Sequence, residues 1–112
     1  MSSASFARMA VVTASTKRPP VSSGGKRGLP VVHIAELQCT PLDPVDPEVR
    51  QRLMLESPNA ILETFMQESV DIAYGDTLVV GTIEYPVKWV ESWYWPPDQT
   101  YYRHVFVEWI KP

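Results

Sequence analysis

Cys39 and the two histidines, His33 and His104, are candidates for nucleophilic or acid–base chemistry. A thiol beside an imidazole can act as a nucleophile with its general base, and both groups are ligands of zinc. Zinc sites need paired ligands at short spacing, however, and the chain has no second cysteine and no close pair of histidines. We interpret both histidines as strand residues with hydrogen-bonded rings.

The pattern around Cys39 indicates a structural thiol. Ala35, Leu37 and Cys39 alternate with polar residues, which is the period of a half-buried strand, and a buried thiol is usually inert. The carboxylates are scattered and offer no defined acid–base pair. The glycines beside Lys26 lack the strand–loop–helix frame of a phosphate-binding loop. We therefore predict that the chain is not an enzyme and has no catalytic residue, metal or cofactor.

Charge is divided unevenly along the chain. Residues 1–35 carry five basic groups and no acidic one, whereas residues 36–112 carry thirteen acidic and five basic groups. This division predicts a basic arm on an acidic body. The residues that we expect to contact nucleic acid or an acidic patch of a neighbouring subunit are Lys17, Arg18, Lys26 and Arg27. A solvated, mobile tail is the alternative interpretation.

Length and composition limit the class of protein. The 112 residues fit a single domain with one core. No apolar run approaches the ~18 residues of a membrane span, and a single cysteine fits a reducing compartment. We expect a soluble intracellular protein that does not contact a membrane.

Proline, glycine and the alternation of apolar residues divide the chain into elements. Residues 1–28 predict an extended arm and a basic Gly/Ser/Pro loop, and residues 29–112 predict one small β domain. Asp46 before Pro47 predicts the start of a short helix. The predicted strands are 29–40, 60–67, 77–80, 83–89 and 101–110. The expected fold is mainly β, a small barrel or sandwich with one short helix and a long N-terminal arm or loop.

Aromatic residues are concentrated near the C-terminal end. Neighbouring strand residues face opposite sides of a sheet, so these rings cannot all enter one core. The rings that we expect at a protein interface are Trp93, Tyr94, Trp95, Tyr101 and Tyr102. Acidic residues around them disfavour stacking on nucleic acid, whose phosphates attract positive charge. A protein surface is therefore the expected partner.

One run of residues has a familiar pattern. Residues 75–87 read Gly-Asp-Thr-Leu-Val-Val-Gly-Thr-Ile-Glu-Tyr-Pro-Val: a Gly-Asp pair, a short apolar strand, a tight turn and Tyr-x-Val. A strand with tryptophans follows, and residues 37–42 and 62–65 fit the same pattern. The chain from about residue 29 to residue 110 thereby resembles the head-closure family of tailed bacteriophages, also called stoppers or head–tail connector proteins.

The resemblance implies a β-barrel subunit of a ring, usually a hexamer, in the neck of the virion. Such a ring lies between the portal or adaptor ring and the tail terminator or tail tube, retains packaged DNA and provides the surface on which the tail docks. It is assembled in the host cytoplasm. The basic tract 17–28 would then contact the channel, a neighbouring ring or, non-specifically, the packaged DNA. A tail terminator or tail-tube subunit is an alternative, and a small β-barrel nucleic-acid-binding module is an alternative from another class.

Overall fold

The computed structural model describes residues 11–19, 30–53 and 59–110. Within these ranges the strands are β1 (Val12–Arg18), β2 (Val31–Cys39), β3 (Asp43–Pro44), β4 (Ala60–Gln67), β5 (Thr77–Val80), β6 (Ile83–Trp95) and β7 (Thr100–Trp109). One α-helix, α1, spans Pro47–Arg52, and a 3-10 turn, Pro96–Asp98, joins β6 to β7. None of the described helices is long and apolar enough to cross a membrane. The prediction of a mainly β fold with one short helix is confirmed.

The strands form one antiparallel sheet that curls back on itself. Its order is β2-β1-β5-β6-β7-β4-β3. β2 also meets β4, because Cys39 pairs with Met66 and the Thr40 amide donates to the Phe65 carbonyl at 2.9 Å. The two ends of the sheet thus meet along a short seam between β2 and β4, and β3 pairs with the first half of β4.

The core lies inside this curled sheet. All strands except β3 contribute buried apolar side chains: Ala14, Leu37, Cys39, Met66, Leu78, Tyr85, Val87, Val105 and Val107. Ile72, from the connection between β4 and β5, completes the set. Each strand supplies only one or two of these side chains, so this core depends on the whole curled sheet.

β1 corrects the predicted boundary between arm and domain. The sequence predicts that residues 1–28 lie outside the β domain, but Val12–Arg18 pairs with β2 on one side and β5 on the other. Ala14 and Thr16 from this strand are buried. Their small, weakly apolar side chains fit a tightly enclosed strand but give little hydrophobic signal. The rest of the predicted arm and loop, 1–10 and 20–29, lies outside the described residues.

β2 is bulged against β1. Ala14 pairs with Leu37 and Thr16 with Ile34, so β2 has one more residue than β1 between these pairs. A bulge reverses the alternation of side chains on its far side. The prediction that Ala35 faces inward with Leu37 is therefore wrong, since Ala35 is exposed.

Candidate protein-interaction surfaces

The hairpin of β6 and β7 extends beyond the strands that flank it. β5 pairs with β6 only along residues 83–86, and β4 follows β7 only as far as Tyr102. From Trp89 to Trp95, β6 pairs with no described strand other than β7. We call residues 89–95 the β6 edge. Along it, the side of the backbone that faces away from β7 has no strand partner in the described part of the chain.

A continuous row of rings lies on one face of this hairpin. The Trp93 ring centroid is 5.0 Å from that of Trp95 and 4.8 Å from that of Phe65. Phe65 stacks on His104 at 4.2 Å, and His104 lies 4.2 Å from Phe106. Phe106 is fully buried, whereas Trp93 and Trp95 are half-buried. The row therefore passes from the interior of the subunit to its surface.

The opposite face carries a tyrosine pair at the end of the hairpin. Tyr94 and Tyr101 have ring centroids 4.9 Å apart and are 43% and 51% exposed. Tyr102 is only 2% exposed, and burial raises its pKa. Its burial corrects the prediction that it is an interface ring. Tyr102 lies where β4 still flanks β7, beside Gln67, whereas Tyr101 lies one residue past the end of β4.

His104 lies between two carboxylates. Its Nε2 is 2.7 Å from Oε2 of Glu63, and its Nδ1 is 3.7 Å from Oε1 of Glu91. The residue is 9% exposed and its ring is sandwiched between Phe65 and Phe106. This arrangement confirms the interpretation of His104 as a strand residue with a hydrogen-bonded ring. The partners come from two other strands and could not be read from sequence spacing.

Lys17 and Arg18 are engaged within the subunit. Lys17 Nζ is 2.7 Å from Oε1 of Glu84. Arg18 forms a two-pronged ion pair with the buried Asp76, through Nε at 2.7 Å and a terminal nitrogen at 2.8 Å. These contacts correct the prediction that both cations belong to a free basic arm. The other two predicted contact residues, Lys26 and Arg27, lie outside the described residues.

Asp71 links Arg18 to His33. Its Oδ2 is 3.3 Å from an Arg18 nitrogen and 3.1 Å from Nε2 of His33. The hydrogen bonds from His33 and Arg18 lower the pKa of Asp71. The hydrogen bond with Asp76 raises the pKa of Arg18 above its ordinary value, although desolvation opposes it. The pairs tie β1 and β2 to the connection between β4 and β5.

A groove follows β2 where the seam opens. Its volume is about 530 Å³, and it lies between the first part of β2 and residues 67–71. Ile34, Leu37 and Val70 provide apolar lining, and Glu36 and Asp71 add carboxylates. It is a further place, within the described part of the chain, at which an edge of the sheet meets solvent.

The thiol of Cys39 is far from a reactive environment. The residue is fully buried in the core, and desolvation raises its pKa. Its burial confirms the prediction from strand alternation. Among the described residues no group of three histidine, cysteine or acidic side chains could hold a metal ion.

The described surface therefore combines an unpaired strand edge, exposed rings on both faces of one hairpin and a groove at the seam. Comparison of the chain with protein-family models gives no match, and no curated protein matches it.

Proposed function

We propose that this chain is a structural subunit of the neck of a tailed bacteriophage. It forms the ring of a head-closure or head–tail connector protein, retains packaged DNA and provides the surface for tail docking. The observation that carries this proposal is the β6 edge, which is rich in aromatic residues and has no strand partner on its outer side among the described residues. The resemblance of residues 75–87 to head-closure proteins supplies the biological setting.

The β6 edge has the properties of a surface that pairs with another chain. Proteins usually protect exposed strand edges with lysine, proline or a bulge, because unpaired backbone groups invite pairing. Residues 89–95 read Trp-Val-Glu-Ser-Trp-Tyr-Trp and contain no lysine or proline, and the bulge of β6 lies before them, between Val87 and Trp89. Trp89 and Tyr94 are more than 40% exposed. Aromatic side chains enriched on an accessible surface are typical of protein interfaces.

The shape of the domain suits a ring subunit. The described residues form a small curled sheet with one elongated hairpin, and the principal dimensions are 46 × 29 × 25 Å. An interface that joins different surfaces of successive copies produces a ring when the rotation closes. In the proposed ring one side faces the portal or adaptor, and the other faces the tail terminator or tail tube. Lys26 and Arg27 remain the candidates for contact with the channel or DNA.

The proposed role is structural and involves no catalysis. Cys39 is enclosed in the core, and His104 is enclosed between Phe65 and Phe106. His33, Ser69 and Asp71 line the groove, and His33 is hydrogen-bonded to Asp71, a contact that ties β2 to the connection between β4 and β5.

Electron microscopy of native particles, or of the chain produced together with its portal, adaptor and tail partners, tests the proposal. We expect a closed ring of this chain between head and tail. Tyr94→Ala should reduce incorporation into the ring, whereas Tyr74→Ala, at a 74% exposed residue away from the hairpin, should not.

Three other results would contradict this function. A ring at the end of the tail tube would indicate the tail terminator, and repeated rings along it a tail-tube subunit. A chain that joins no assembly but binds nucleic acid with a steep salt dependence would indicate the nucleic-acid-binding module.

A further inference from the structure

The β6 edge can accept a further strand at regular spacing. Its pairing with β7 is continuous from Trp89 opposite Phe106 to Trp95 opposite Thr100, without a bulge. An edge of this kind adds an antiparallel strand through its outward backbone groups, and its side chains select the partner. One face presents Trp89, Glu91, Trp93 and Trp95, and the other presents Val90, Ser92 and Tyr94.

Glu91 is the only charged residue of the β6 edge. Its carboxylate accepts a hydrogen bond from Nε1 of Trp89 at 3.3 Å, and it lies 3.7 Å from Nδ1 of His104 and 3.8 Å from a nitrogen of Arg52, both near the outer limit of an ion pair. Its side chain is 30% exposed, which leaves it accessible to a further cation. The preferred partner strand therefore carries a positive charge opposite Glu91.

We infer that residues 1–10 of a neighbouring copy of this chain supply that strand, an interaction that rests on the proposed ring. The segment reads Met-Ser-Ser-Ala-Ser-Phe-Ala-Arg-Met-Ala. It contains no proline, so none of its residues lacks a backbone amide donor. It also contains no glycine, which would weaken a strand. At about 3.3 Å per residue its length exceeds that of the β6 edge. Arg8 is its only charged side chain.

A single antiparallel register satisfies both charge and ring packing. When Arg8 lies opposite Glu91, Phe6 lies opposite Trp93 on the same face. On the other face Met9 then lies opposite Val90. Opposite charges and aromatic pairs directly across two strands are the stabilising combinations of a sheet. A slip of one residue would place Arg8 on the wrong face and remove both pairings.

The exchange of arms between neighbouring copies also explains how the β6 edge can form part of a ring interface. Pairing of the β6 edge with the same edge of a second copy would give a closed two-fold dimer and use up the edge. An arm from one copy on the edge of the next joins two different surfaces, which is the arrangement that propagates around a ring. Each subunit then gives one strand and receives one.

Disulfide trapping with full-length chains tests this inference. In the inferred register Ala7 faces Ser92, so we mix chains carrying Ala7→Cys with chains carrying Ser92→Cys and oxidise them at high concentration. We expect a mixed disulfide between the two variants. Ser2→Cys replaces Ala7→Cys as the control, because residue 2 is out of register and should link poorly. The native Cys39 is buried and does not compete.

The other products each overturn the inference. Disulfides between two Ser92→Cys chains would show that the edge pairs with itself. A chain carrying both substitutions that closes its disulfide internally, independent of concentration, would show that the edge holds its own arm. Absence of any disulfide would show that the segment docks elsewhere.

A charge exchange provides a second test. Arg8→Glu should weaken the association by about fivefold, as expected for loss of one partly exposed ion pair. Glu91→Lys in the same chains should restore part of that loss, and Lys111→Glu, which changes the net charge equally outside the segment, should leave the association unchanged. Equal effects of Arg8→Glu and Lys111→Glu would contradict the register.

The ring and the arm can fail separately. If the chain forms a ring on particles but its cysteine variants do not cross-link, the proposed function stands and only this inference is overturned. Cross-linked oligomers of a chain that never joins a particle would support the inferred arm and overturn the neck function.

Discussion

Arg18 and Asp76 lie 58 positions apart in the sequence and meet as a two-pronged ion pair at the end of β1. Nε of Arg18 is 2.7 Å from Oδ1 and a terminal nitrogen is 2.8 Å from Oδ2. Oδ2 also accepts the amide of Ala73 at 3.0 Å, and Asp76 is 3% exposed. One carboxylate therefore fixes both β1 and the turn that precedes β5.

Asp76→Asn should destabilise the fold. The substitution keeps the size of the side chain but removes the charge and one of the two oxygens that accept hydrogen bonds. We expect this change to lower the free energy of unfolding by about 2 kcal/mol. Urea unfolding followed by tryptophan fluorescence measures the change. Glu84→Gln is the matched control, because it breaks the more exposed pair with Lys17 and should cost no more than about 0.5 kcal/mol. Equal losses in the two variants would contradict the assigned role.

Substitution by alanine should lower the stability of the fold at Tyr102 but should mainly affect assembly at Tyr101. Tyr102→Ala removes a fully enclosed ring and should lower the free energy of unfolding by about 3 kcal/mol. Tyr101→Ala removes a ring that is half exposed, so its effect on stability should be below about 1 kcal/mol. If the hairpin end is an interface, Tyr101→Ala should instead reduce incorporation into particles. Denaturant unfolding and particle assays measured together distinguish the two roles.

The Cys39 thiol should resist alkylation in the folded chain. It is fully buried, and burial raises its pKa, so both access and the thiolate fraction are low. Iodoacetamide labelling followed by mass spectrometry should show slow reaction at neutral pH and rapid reaction in guanidinium chloride. Ser92→Cys supplies an exposed thiol in the same chain as an internal control. Equal reactivity of both thiols in the folded protein would exclude the buried position.

Stability should depend on Asp71 in acid. Contacts with His33 and Arg18 lower the folded-state pKa of Asp71 below its ordinary value of about 3.9. The unfolded chain then binds the proton first, so the contribution of Asp71 is present above that pH and is lost as pH falls through the folded-state pKa. The difference in free energy of unfolding between the natural chain and Asp71→Asn should shrink as pH falls below about pH 4. A difference that is the same at pH 7 and pH 3 would refute this linkage.

Local sequence signals defined several elements correctly. β4 and β5 have the predicted bounds. α1 begins directly after Asp46, as predicted, and the Asp46 side chain accepts a hydrogen bond from the Glu48 amide at 2.9 Å. Gly81, with φ of 63°, turns the chain between β5 and β6 as the Gly-Thr pair indicates. These features depend on residues that are neighbours in the chain, and a single sequence contains that information.

Features that depend on distant residues were not accessible from the sequence. β1 is stabilised as a strand by two neighbours rather than by its own composition, so Thr16 is buried although the segment is polar. The burial of Tyr102 depends on where β4 ends. The two carboxylates around His104 come from β4 and β6 and meet it only in the folded sheet.

The pairing of β1 with β5 has a consequence for how the chain folds. Ser15 pairs with Val79 and Lys17 with Thr77, so these partners are separated by sixty or more positions. During synthesis, at about 5–20 residues per second, β1 must wait several seconds before β5 has been made. Sheets built on such distant pairings also fold slowly, in milliseconds to seconds. The subunit should therefore acquire its native sheet late and in a single cooperative step, which leaves chaperones time to act on the nascent chain.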